Sequence, residues 1–91
     1  MRKKVKTLVL PDAPIQYGDR GMDAERLQLA LEHIYKLKGK KKITYNEPSY
    51  FGLLTMKYLV DFQRDHITGI PVRRGVFDKT TRQIMREVLE Q

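Results

Sequence analysis

Three times along this chain of 91 residues, a turn residue is followed at matching spacing by a helix start and an apolar stripe. The first copy is Gly21-x-x-Ala24-x-x-Leu27-Gln28-x-x-Leu31 and the second Gly52-x-x-Thr55-x-x-Tyr58-Leu59-x-x-Phe62-Gln63. The third, Asp78-x-x-Thr81-x-x-x-Met85, is shorter. Apolar residues three and four apart share one face of a helix. The repeat therefore predicts an all-α domain of three helices, entered through similar tight turns and packed around one core.

The second copy is the centre of the pattern. Phe51 and Gly52 feed directly into a helix on which Tyr58, Leu59 and Phe62 share a face, and Met56, Val60 and Ile67 form a second stripe. A helix with two apolar stripes packs on more than one neighbour, so this is the expected central helix. The first helix is expected to start at Asp23 as N-cap, after a turn bracketed by Gly18 and Gly21, and to run to about Leu37. Its inward stripe is Ala24, Leu27, Leu31 and Ile34, flanked by Tyr35, with Leu29 opposite and exposed. In the third, Asp78 reads as N-cap with Thr81 at N3, and Ile84, Met85, Val88 and Leu89 point inward. Lys79, Arg82 and Arg86 line a flank.

A chain of this length supports one domain and buries roughly two thirds of its unfolded surface. It has no cysteine, which excludes a disulfide framework and a cysteine-based zinc site but leaves the compartment open. The net charge of +7 favours anionic partners: nucleic acid, teichoic acid, acidic lipid or an acidic protein face. Solubility alone is an equally simple reading. No apolar run approaches the roughly 20 residues of a membrane span. Met1-Arg2-Lys3-Lys4 looks like the start of a signal peptide, but Val5–Leu10 is interrupted by Lys6 and stopped by Pro11, so no signal peptide is expected.

Residues 1–14 read as a basic extended arm, separate from a domain at 15–91. A lone strand is not stable alone, so the arm either docks on its own domain or is held by another molecule. Residues 38–50 read as a loop dense in positive charge, including Lys40, Lys41 and Lys42, with a short strand possible at Ile43–Tyr45. Tyr45 and Tyr50 suit stacking on a sugar or base, and equally suit covering one end of a small core.

Gln28 and Gln63 each lie at the edge of an apolar stripe. A partly buried amide must be hydrogen-bonded or costs on the order of 1–3 kcal/mol. Each glutamine either ties its helix to a neighbouring turn or, for Gln63, faces a groove and binds a peptide amide. Thr55 and Thr81 read as helix-start residues. His33 and His66 form no metal-ligand spacing; His33 is expected at the surface and His66 in a packing or helix-end role. Asp61 and Asp65 lie one turn apart beside Arg64 and read as helix charge rather than an acid–base pair. No serine sits in a nucleophile elbow. The sequence argues against catalysis and calls for no cofactor or metal. The basic groups could meet nucleic-acid phosphates, but no DNA-binding motif accompanies them, so that reading is not favoured.

The segments 18–31, Phe51–Gln63 and Gly75–Met85, in order and with their spacing kept, resemble the three signatures of the peptidoglycan-binding-domain-like family. The resemblance covers about residues 16–89 and rests on Gly21, Leu27, Gln28, Phe51, Gly52, Thr55, Phe62, Asp78 and Thr81. It implies a three-helix, non-catalytic domain of the kind attached to cell-wall amidases, muramidases, transglycosylases and phage endolysins. A related fold forms the pro-segment of matrix metalloproteinases, whose cysteine-containing inhibitory motif is absent here. Asp78 stands where the family commonly has glycine, and the loop 38–50 is unusually basic.

The expected function is therefore non-catalytic attachment to bacterial peptidoglycan. Tyr45, Tyr50 and Gln63 are the candidate contacts in a shallow groove near loop 38–50, and Lys40–Lys42 attract the anionic wall. The alternative is a structural component of a phage tail or baseplate, anchored to neighbouring virion or enzyme subunits through residues 1–14. The expected location is accordingly the cell wall, reached by delivery, or a phage virion.

Overall fold

Each helix begins at the residue the repeat marks as its turn. Gly21 is the N-cap of α1 (Met22–Leu37), Gly52 of α2 (Leu53–His66) and Asp78 of α3 (Lys79–Leu89). The computed structural model describes residues 9–39, 45 and 47–90, and among these no strand is present. The fold is all-α, as the periodicity predicts. The start of α1 differs in detail. Gly21 has φ of 108°, a conformation that a side chain disfavours, so the chain turns there rather than at Asp23. Asp23 instead joins Glu25 in the first turn, where negative charge complements the helix dipole. At α3 the expected cap is present, with the Thr81 N–H donating to Asp78 Oδ1 at 2.8 Å.

The inward stripes meet in one core. Leu27, Leu31 and Ile34 of α1 pack with Leu59 and Phe62 of α2 and Met85 of α3. Phe51 and Phe77, each one residue before an N-cap, are completely buried. Burial of each such large side chain contributes roughly 1.5–3 kcal/mol before entropy. Tyr58, Met56, Ile84, Val88 and Leu89 close the periphery half-buried, while Leu29 is exposed, as its place on the helix predicts.

Phe51 and Phe77 are each pinned by a segment from earlier in the chain. Phe77 exchanges both backbone hydrogen bonds with Ile15, at 3.2 and 2.9 Å. Phe51 accepts from the Gly18 N–H and donates to the Asp19 carbonyl, both at 2.8 Å, and the Gly21 N–H reaches the Ser49 carbonyl at 2.9 Å. Residues 16–21 and 49–51 thus form a small antiparallel ladder centred on Arg20 and Tyr50.

The boundary at residue 15 is a correction to the sequence reading. Leu10 and Ile15 are both only 6% exposed and belong to the core, and Arg82 Nε donates to the Pro11 carbonyl at 2.9 Å. An aliphatic residue upstream of two prolines has no helical period to announce its burial, so the pattern alone assigns it to the arm. Residues 1–8 lie outside the described residues, as do Ile43 and Thr44 of the possible short strand; Tyr45 is in no strand. No helix among the described residues is long and apolar enough to cross a membrane.

Candidate functional site

Two amides fix the turns that any surface site must be built on. Gln28 is 1% exposed and Gln63 fully buried. Gln28 Nε2 donates to the Glu47 carbonyl (3.3 Å), the Tyr50 carbonyl (2.9 Å) and Thr55 Oγ1 (3.0 Å), and its Oε1 accepts from the Ser49 N–H (2.9 Å). Gln63 repeats the arrangement one helix later. Its Nε2 donates to Arg73 O (3.1 Å), Val76 O (3.0 Å) and Thr81 Oγ1 (3.0 Å), and its Oε1 accepts from Gly75 N (2.8 Å). In both, two N–H groups are shared among three acceptors. Each glutamine therefore clasps the turn that precedes the next helix, together with the threonine at that helix's N3 position. The first helix has no preceding clasp, and there the N3 residue is Ala24.

This corrects one proposed ligand contact. Gln63 has both ends of its amide engaged inside the protein and faces no groove. The other motif residues are likewise structural. Leu27, Phe51 and Phe62 are core, Thr55 and Thr81 complete the clasps, and Gly21, Gly52 and Asp78 start the helices. Gly52 has a further reason to be glycine. A Cβ there would lie 3.1 Å from the Tyr50 ring, which folds back over this position.

Tyr50 leads to the most distinctive exposed surface. Its ring lies 6.5 Å from that of Tyr17 at 58°, and the Arg20 guanidinium sits over it at 4.3 Å from the centroid. Arg20 Nη1 is 2.7 Å from Glu47 Oε2, with the two side chains 63% and 50% exposed. Burial and the neighbouring Tyr17 phenol push the Tyr50 phenol up, against the pull of Arg20. The hydrogen bond to Glu47, then its charge, raises Arg20 further. All four side chains stand on the 16–21/49–51 ladder and on the loop held by Gln28. An aromatic pair with a stacked cation and an exposed carboxylate can hold a flat polar ligand and its charge together.

Tyr45 is elsewhere. Its hydroxyl donates to Glu32, and burial, then Glu32, pushes its phenol well up. Tyr45 lies against Glu32, and residues 47–50 pass Gln28 toward Gly21 along α1. Three helical turns cover roughly 16 Å, so Tyr45 and Tyr50 lie at opposite ends of this path rather than in one groove. Lys40, Lys41 and Lys42 lie outside the described residues. Tyr17 and Arg20 are the contributors that sequence reasoning missed. The available signal was an aromatic at 17 that belongs to no apolar stripe.

A concavity of roughly 310 Å3 lies between α1 and α2. Its Asp61 accepts from Tyr35 Oη (3.3 Å), Lys57 Nζ (3.5 Å) and Arg64 Nη2 (2.6 Å), and Lys38 pairs with Asp65 at 3.2 Å. Burial, then Asp61, pushes the Tyr35 phenol up to about 12. The carboxylates here are paired with cations, in keeping with ordinary helix charge. Nearby, the His66 ring stacks on Phe62 at 4.6 Å, and its buried Nε2 has no hydrogen-bond partner among the described residues. Among the described residues no group of three or more His, Cys, Asp or Glu side chains is placed to hold a metal.

Comparison of the chain with protein-family models, curated proteins and solved structures returns no match. The functional reading therefore stands on the residues themselves.

Proposed function

We propose that this chain is a non-catalytic module that binds bacterial peptidoglycan through the face formed by Tyr17, Tyr50 and Arg20. The observation that carries the reading is the aromatic pair of exposed Tyr17 and half-buried Tyr50 beside a stacked cation, held on a backbone ladder rather than on a free loop. Aromatic rings offer an apolar body with a polar tip and lose little entropy on binding, which suits the flat faces of a glycan strand. The net charge of +7 draws the protein toward an anionic wall. The resemblance of the three helix-start segments to wall-binding domains supports the same reading. Its motif residues are those that build the fold, so it speaks to the scaffold more than to the ligand.

The test is retention on purified, teichoic-acid-free sacculi at low and high salt. The expected result is retention that survives high salt, falls at least tenfold in Tyr50→Ala and in Tyr17→Ala, and is unchanged in Tyr45→Ala. Circular dichroism would establish that each variant is folded. No retention, or retention abolished by salt, would defeat the proposal and leave packing against virion or enzyme subunits as the use of this fold.

A further inference from the structure

Arg20 is stacked on an aromatic ring, and its ion-pair partner is half exposed. Its guanidinium lies flat over the Tyr50 ring, 4.3 Å from the centroid. Its backbone neighbours are fixed on both sides, Asp19 O by the Phe51 N–H and the Gly21 N–H by Ser49 O. The cation is thus pre-positioned beside the aromatic pair. An arginine fork satisfies a carboxylate best through two parallel N–H bonds. Among the described residues it meets only one carboxylate, Glu47, and only through Nη1, at 2.7 Å.

Glu47 is built differently. Its backbone carbonyl is held by Gln28, but its side chain is half exposed and reaches Arg20 across the ladder. Exposed, single-pronged ion pairs contribute little and exchange readily. A ligand carboxylate that offered both oxygens would make the stronger contact, and Glu47 could swing into solvent without disturbing the clasp behind it.

We infer that Arg20, stacked on Tyr50, recognises a free carboxylate of the stem peptide attached to the wall sugar, and that Glu47 occupies this position in the free protein as an internal competitor. The inference rests on the wall-binding reading for its biological ligand and adds the ligand's charged group and a built-in brake on affinity. Removing the Glu47 charge frees the fork, so Glu47→Gln binds an acidic muropeptide more tightly than the wild type. Removing the fork in Arg20→Gln weakens binding and erases the preference for a charged ligand.

The experiment has a soluble arm and a wall arm. In the first, wild type, Glu47→Gln and Arg20→Gln are titrated with an N-acetylmuramyl dipeptide bearing free carboxylates and with the same compound amidated at those carboxyls, followed by the Tyr17 and Tyr50 ring resonances. The expected result is a three- to tenfold tighter response of Glu47→Gln to the acid, no change toward the amide, and loss of discrimination in Arg20→Gln. In the second, the same proteins are applied to sacculi that still carry teichoic acid and to teichoic-acid-free sacculi, the latter before and after amidation of their carboxyl groups. Glu47→Gln should gain retention on the untreated sacculi and lose that gain on the amidated ones.

Equal affinity of Glu47→Gln and wild type for the acid, or retention indifferent to amidation, overturns the inference while leaving wall binding standing. Retention only on sacculi that still carry teichoic acid assigns Arg20 to phosphate and also overturns it. A response to the soluble acid without retention on any sacculi supports the carboxylate site and defeats the wall as its source.

Discussion

Ser49 has φ of 63°, in the left-handed region that glycine enters without cost. Gly75 occupies the equivalent place in the second clasp, with φ of 84°, and each donates its N–H to the clasping glutamine. Relief of the left-handed strain outweighs the added freedom of the unfolded chain, so Ser49→Gly should stabilise the protein by up to about 1 kcal/mol. A higher urea midpoint with an unchanged slope checks this. The glutamines themselves carry more. Gln63→Leu strands the Gly75 N–H, two carbonyls and the Thr81 hydroxyl in the interior, at an expected cost of about 2–4 kcal/mol. A loss under 1 kcal/mol in the same titration would show that the clasp is replaceable. The border positions of Gln28 and Gln63 were legible in the sequence, and so was the need to satisfy their amides. Which carbonyls they reach was not, because a loop's backbone has no periodic signature.

Among the elements, α2 joins the other two, through Gln28 to Thr55 on one side and Gln63 to Thr81 on the other. Its C-terminal His66, stacked on Phe62, ties the packing of this helix to pH. Burial, then the charge of Lys38, holds the imidazole below its ordinary value, and Asp65 only partly opposes them. The unfolded chain takes up this proton near pH 6.5, whereas the folded chain resists it to lower pH. Stability contributed by neutral His66 is therefore full above about pH 6.5 and declines as the pH falls toward the folded value. Between pH 7.5 and 5.5 the wild type should lose more stability than His66→Leu, measured as urea midpoints at each pH. Equal losses would remove His66 as the cause. The helices and their inward faces followed from spacing alone, because burial of a helix face leaves a 3.6-residue period. The site at Tyr17, Arg20 and Tyr50 did not. It is assembled by pairing of two turns far apart in the chain, and turns have no such period.

At the scale of the molecule, the domain begins before its first helix. Leu10 inserts into the core beside Ile15, and Arg82 of α3 holds the Pro11 carbonyl. Leu10→Ala should cost about 2–4 kcal/mol, as for other buried leucines. A cost under 0.5 kcal/mol in chemical denaturation would return this segment to the status of an arm. Two prolines and a run of basic residues masked its role, since charge upstream reads as a solvated tail. The nine motif positions that resemble wall-binding domains all serve core, cap or clasp. What the fold carries on its surface is free to change around them.

The two clasps close over very different lengths of chain. Gln28 and Thr55 are 27 residues apart, Gln63 and Thr81 only 18, yet both end in the same hydrogen-bonded turn. Most of the additional length is helix, since α1 runs nine residues beyond Gln28 and α2 only three beyond Gln63. The connections from helix end to gripped turn differ by only three residues, and lengthening a connection costs little, since closure entropy grows only with the logarithm of length. The stretch of sequence between α1 and the turn gripped by Gln28 is thus a natural insertion port. Foreign peptides or affinity tags grafted there would be displayed on a scaffold whose helix registers are set downstream of the graft.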